Sequence, residues 1–170
     1  MNTYPPKEME QSILYRGTIL QLMSVLEAII NSYIAEFFCG KNKDKRRVMQ
    51  LQLLGDERIT LSNKAQIFYA LADDFNENWY KAYVSPRPKP KDSKKPYGLN
   101  SDLSHVIEQR NIFAHRMMAF DQLDKSHPRR KGVLRLVKLK SDTVPLDYDK
   151  NDFDELCKLI LHLTNYIDNH

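Results

Sequence analysis

Cysteine is scarce in this 170-residue chain: Cys39 and Cys157 are the only two, and they stand far apart. That excludes a disulfide scaffold, and no CxxC or Cys/His set has the spacing of a zinc site. Cys39 follows Phe37-Phe38, and Cys157 lies between Leu156 and Leu159, so both read as small core hydrophobes in a reducing compartment. Five scattered glycines provide no phosphate-binding glycine loop and no dinucleotide fingerprint. The acidic stretch Asp147-Tyr148-Asp149, with Asp152 and Asp154, lacks the glycine and terminal glutamate of a calcium loop and reads as acidity at a helix N-terminus. Met1–Lys7 carries no signal-peptide core, and no run looks like the roughly 20 apolar residues of a membrane span. The expectation is a cytoplasmic protein with no membrane partner. Internal repeats and low-complexity segments are also missing.

What the chain does have is length for one domain, residues 1–170, with a sizeable core. The net charge of +4 is modest, but the cations are clustered. Lys41, Lys43, Lys45, Arg46 and Arg47 form one group, Arg87, Lys89, Lys91, Lys94 and Lys95 a second, and Lys125, Arg129, Arg130 and Lys131 a third. All lie in turn-rich stretches, where they either contact phosphates or simply keep loops soluble.

Apolar spacing predicts a mainly α fold, a four-to-five-helix bundle with a small β-hairpin before the last helix. A long helix over Glu8–Cys39 would bury Ile13, Leu20, Met23, Leu26, Ile30, Tyr33, Ile34 and Phe37, with Gly40 as its stop. A shorter helix follows over Arg46–Leu54. Thr60 or Ser62 then caps a helix to about Tyr83 with Ala65, Phe68, Leu71, Ala72, Phe75 and Trp79 as its stripe. Residues 84–98 interleave Pro86, Pro88, Pro90 and Pro96 with lysines and form an extended, mobile loop. Asn100 or Ser101 opens the next helix, through Leu103, Val106, Ile107 and Phe113 to about Met118. Within residues 117–148, Met117–Leu123 and Gly132–Lys140 read as strands joined through Lys125-Ser126-His127-Pro128, and Thr143–Tyr148 adds further extended structure. Asp152 opens a final helix through Phe153, Leu156, Ile160, Leu163 and Ile167.

One stretch concentrates reactive residue types: Glu108-Gln109-Arg110-Asn111-Ile112-Phe113-Ala114-His115. A permanent cation, an amide and an imidazole able to move protons near neutral pH suit phosphate chemistry. On a helix, Asn111 and His115 lie about 40° apart, whereas Arg110 lies about 140° from His115. A bend at the helix end, or a second copy across a two-fold axis, would bring arginine and histidine into one cleft. His115 would then act as general base or acid, Arg110 would hold the phosphate, and Asn111 would orient them. The plain alternative pairs Arg110 with Glu27 or Glu108 and leaves His115 at the helix C-terminus, where cations are favoured. Glu27 could also assist proton transfer. His105 reads as a neighbouring residue rather than a partner of His115. Tyr80, Tyr83 and Tyr97 either stack on bases or cover the core.

Arg110-Asn111-Ile112-Phe113-Ala114-His115 resembles the signature of the HEPN superfamily (higher eukaryotes and prokaryotes nucleotide-binding domain): an arginine, a polar residue, then a histidine a few positions on. The four intervening residues are at the short end of that spacing. The resemblance implies a homodimer whose motif helices meet in a composite site for metal-independent RNA cleavage, with Arg110, Asn111 and His115 as catalytic residues and no cofactor. It implies RNA as substrate, a toxin–antitoxin or antiviral setting, and an antitoxin or regulatory protein as a further partner. The second reading is a non-catalytic HEPN-like dimer that binds protein or nucleotide.

Overall fold

The computed structural model describes residues 7–90, 95–118, 133–137 and 146–170. Its spine is α1 (Lys7–Cys39), a 33-residue helix that buries Tyr15, Ile19, Met23, Leu26, Ile30 and Ile34 along one stripe. Gly40 takes φ 55, open to glycine at no steric cost, and its N–H closes the helix on Glu36 O at 2.8 Å. The buried stripe starts from Tyr15 rather than the expected Ile13, which is 60% exposed. The reason is Tyr15's partner, Phe153, whose ring stacks on it at 3.8 Å between centroids. Phe37 is likewise more exposed than expected and meets Phe75 and Phe38 in an outer aromatic group.

A second correction concerns membranes. An 18-residue window within Met9–Cys39 has mean hydropathy 1.5, so α1 is long and apolar enough to span one. In this fold the same helix packs against the helices over Lys43–Val48, Leu61–Phe75, Leu99–His115 and Lys150–Asp168.

After α1 come α2 (Lys43–Val48), capped by Asn42, and a π-helical turn over Met49–Leu53 that delivers Leu54 to the core. Helical structure thus begins three residues before the expected Arg46. Thr60 caps α3 (Leu61–Phe75), its Oγ1 accepting from Asn63 N–H at 3.3 Å. The expected run to Tyr83 is broken at Asn76, whose side chain donates to Tyr33 Oη of α1 at 2.7 Å. Five further residues, Glu77–Lys81, form α4 on the other side of the break. Phe75 falls at the bend and is 64% exposed instead of joining the core.

α5 (Leu99–His115) starts from Gly98, not from an Asn100 or Ser101 cap, and ends three residues before the expected Met118. β1 (Met117–Met118), β2 (Leu134–Val137) and β3 (Leu146–Tyr148) form an antiparallel sheet in that order. The register pairs Met118 with Leu136 and Arg135 with Asp147. Arg135 and Asp147 join through two bonds of 2.7 Å. The expected Lys125–Pro128 turn lies outside the described residues. α6 (Lys150–Asp168) is capped by Asp149 rather than Asp152. Asp152 completes a reciprocal capping box, with both bonds at 2.9 Å.

The fold is therefore mainly α. α1 packs on α3, α5 and α6 around Phe68, Phe113, Met23, Leu103, Ile160 and Leu163, all almost fully buried. Both cysteines are free and half-buried, and burial pushes the Cys157 thiol pKa up.

Candidate functional site

Leu99, Leu103, Val106, Ile107 and Phe113 anchor α5 on the core, and this fixes which faces remain outside. Asn111 and His115, one turn apart, are both exposed and line one open cleft between α3 and α5. The cleft has a volume of about 530 Å³. Ser62, Gln66 and Tyr69 of α3 form its opposite wall, and Ser104, Glu108 and Arg116 complete the polar lining.

Arg110 does not line the cleft. It is half-buried, about 140° round the helix from His115, and its Nη1 donates to Asn111 Oδ1 at 3.1 Å. The structure thus brings Asn111 and His115 together on one wall and connects Arg110 to that wall through Asn111.

Neither anticipated carboxylate pairs with Arg110 among the described residues. Glu27 instead pairs with Lys64 of α3, a lysine only 4% exposed. Burying that ammonium requires a counter-charge, and the carboxylate two helical faces away supplies it. Glu108 stands in the cleft lining. Lys64 escaped the sequence reading because a lysine inside an apolar stripe gives no sign of its partner on another helix.

Tyr69 was also missed. Its hydroxyl donates to Asn100 O at 3.1 Å and lies 3.3 Å from Ser104 Oγ. Burial pushes its pKa up to about 12, so in the cleft it is a neutral hydroxyl and not a base. The signal was available: Tyr69 adjoins Phe68 at the edge of the predicted stripe.

Arg116 is the more consequential omission. As the residue after the last helical position it leaves α5 with φ −87 and ψ 146, while its N–H still bonds Ile112 O at 3.0 Å. β1 begins at the next residue, so the helix end and the sheet hold this backbone from both sides.

The opposite face of α5 carries a second cavity of about 350 Å³, lined in part by Arg87, His105, Gln109, Tyr148 and Glu155. Burial, then the Arg87 charge, pushes the His105 pKa below its ordinary 6.5. Tyr148 donates to Gln109 Oε1 at 2.6 Å, and burial raises its phenol to about 12. His105 and His115 therefore serve different sides of the helix. Tyr83 is buried and Tyr80 packs on the core, while Tyr97 lies under Arg87 with the guanidinium carbon 3.6 Å from the ring centre. Among the described residues, no three His, Cys, Asp or Glu side chains gather as a metal-holding group.

No family model, curated protein or solved structure matches the chain.

Proposed function

We propose that the protein is a metal-independent endoribonuclease of the toxin or antiviral-defence type, acting in the cytoplasm, with its active site composed across a homodimer. The observation that carries this reading is the shared wall of the α3–α5 cleft, where an exposed imidazole (His115) and an exposed amide (Asn111) stand one turn apart beside cationic groups. The likeness of Arg110–His115 to the HEPN signature supports the same reading. Ile13 and Leu14 support self-association: α1 leaves them 60% and 63% exposed around Gly17 on the outside of the bundle.

In this chemistry one imidazole takes the proton of a ribose 2′-hydroxyl as its oxygen attacks the adjacent phosphorus. The P–O5′ bond breaks, and a second imidazole, protonated and supplied by the partner copy, gives its proton to the departing 5′-oxygen. The products are a 2′,3′-cyclic phosphate and a free 5′-hydroxyl. Asn111, its Oδ1 engaged by Arg110, offers Nδ2 to a phosphate oxygen, and Arg110 stabilises charge that builds on the phosphorane.

Purified protein incubated with mixed RNA in EDTA tests the proposal beside His115→Ala. Wild type should leave cyclic phosphate ends, and the variant should lose about 10²- to 10⁴-fold in rate. Equal cleavage by both proteins sinks the assignment.

One observation favours the second reading, a non-catalytic dimer that binds protein or nucleotide: Arg110 stands outside the cleft lining and bonds its own neighbour. Absence of cleavage by wild type, with retained binding of RNA or mononucleotide, would select it.

A further inference from the structure

We propose that Arg116, positioned by Arg16, is an anion-binding site in the wall of the α3–α5 cleft, built to hold a phosphate of the RNA chain beside His115. The identity of the anion as an RNA phosphate rests on the ribonuclease reading; the anion site itself rests on the unpartnered Arg116 guanidinium and the Arg16 bond to its backbone.

Arg16 of α1 crosses to the end of α5, and its Nη2 donates to the backbone carbonyl of Arg116. This brings the Arg16 guanidinium to the Arg116 backbone. Arg16 Nε and Arg116 Nη1 are both buried, and neither has a hydrogen-bond partner. No carboxylate pairs with either arginine among the described residues. Four other arginines pair with a carboxylate: Arg46 with Glu36, Arg58 with Asp56, Arg87 with Asp102 and Arg135 with Asp147.

An orphaned buried N–H on a cation is costly. A group of opposite charge with several acceptor oxygens, held in the cleft that Arg116 lines, removes that cost at Arg116. Phosphate has that charge, and its oxygens match the planar fork of a guanidinium.

Position gives the site its use. Arg116 lines the same cleft as Asn111 and His115, and it follows His115 directly in the chain. Its carbonyl is held by Arg16 and its N–H by Ile112, so the backbone that carries the donor is fixed before any ligand arrives. Arg116 is the binding residue; Arg16 acts through it.

The test uses the full chain and two probes, inorganic phosphate and a short 2′-O-methyl RNA that lacks the attacking hydroxyl. Thermal unfolding is followed in phosphate and in chloride at matched ionic strength, and RNA binding by fluorescence anisotropy across a salt series. Phosphate should raise the Tm of wild type above its value in chloride. Arg116→Gln should lose that increment, bind the RNA about ten-fold more weakly and show a salt slope lower by about one. Arg16→Gln should lose the phosphate increment as well, which preserves the test if Arg116→Gln fails to fold. Arg47→Gln, which removes an exposed cation from α2, should keep it.

A wild type whose Tm is the same in phosphate and chloride overturns the proposal, as does an equal loss in Arg47→Gln and Arg116→Gln. If the phosphate response depends on Arg116 but no RNA is cleaved, the anion site stands and the ribonuclease reading falls. If cleavage depends on His115 but phosphate has no effect, the reverse holds.

Discussion

At the N-terminal end of α5, Arg87 is bound on every side. Its Nε donates to Asp102 Oδ1 at 2.7 Å, a terminal nitrogen reaches Ser101 Oγ at 3.2 Å, and Tyr97 lies flat beneath it. Asp102 is 0% exposed, and its other oxygen accepts from Tyr83 Oη at 2.7 Å. At the C-terminal end of the same helix, Arg16 and Arg116 touch through one carbonyl and keep buried N–H groups without partners. Both ends place positive charge against the bundle, but only the first balances it internally. A cation whose donors and counter-charge all come from the chain is part of the architecture. One left incomplete is a place for something that arrives from outside.

The contrast can be broken at its satisfied end first. Asp102→Ala removes the acceptor of both Arg87 and Tyr83 and leaves a half-buried cation unpaired, so it should destabilise the fold by about 3–5 kcal/mol in urea unfolding. A change below about 1 kcal/mol would show that this network is not structural.

Arg16→Met sharpens the other end. It keeps an unbranched stem for packing, loses one hydrogen bond and removes an uncompensated charge. Unfolding in chloride should therefore shift by no more than about 1 kcal/mol in either direction. A loss as large as that of Asp102→Ala would make Arg16 a structural partner and erase the difference between the two ends.

The smallest effect concerns His105, which lines the second cavity together with Arg87. Burial and the Arg87 charge push its pKa below 6.5, although Glu108 and Asp102 act in the opposite direction. The folded protein thus disfavours protonation of this imidazole. As pH falls below 6.5 the unfolded chain takes up the proton first, so stability declines until the folded-state pKa is reached, and above 6.5 the group contributes nothing. His105→Gln should flatten that decline in unfolding measurements on either side of pH 6.5; an unchanged pH profile would place its source elsewhere.

Much of the helical frame could be read from the sequence because periodicity and caps are local. Gly40 ends α1 and Thr60 starts α3 by rules that need only neighbouring residues. Where the reading failed, the deciding partner lay elsewhere in the chain. Tyr15 replaces Ile13 in the core because Phe153 lies across from it, and α3 stops at Asn76, which bonds Tyr33 on α1. Asp149 takes the cap expected near Asp152, since the reciprocal bond of a capping box is satisfied three residues earlier. The same logic divides the site. Asn111 and His115 share a face by helix geometry alone, and that much was legible. Lys64 opposite Glu27, and Arg16 against Arg116, depend on how α1 crosses α3 and α5, which no local spacing encodes.

The pairing of α1 with α6 also constrains how the molecule is made. These helices pack along one another, with Tyr15 stacked on Phe153, although about 110 residues separate the end of the first from the start of the second. A nascent chain leaving the ribosome exposes the apolar stripe of α1 long before its principal partner has been synthesised. Arg16 reaches Arg116 from that same early helix, so that contact waits for the end of α5. During that interval α1 lacks the helix against which it packs most extensively.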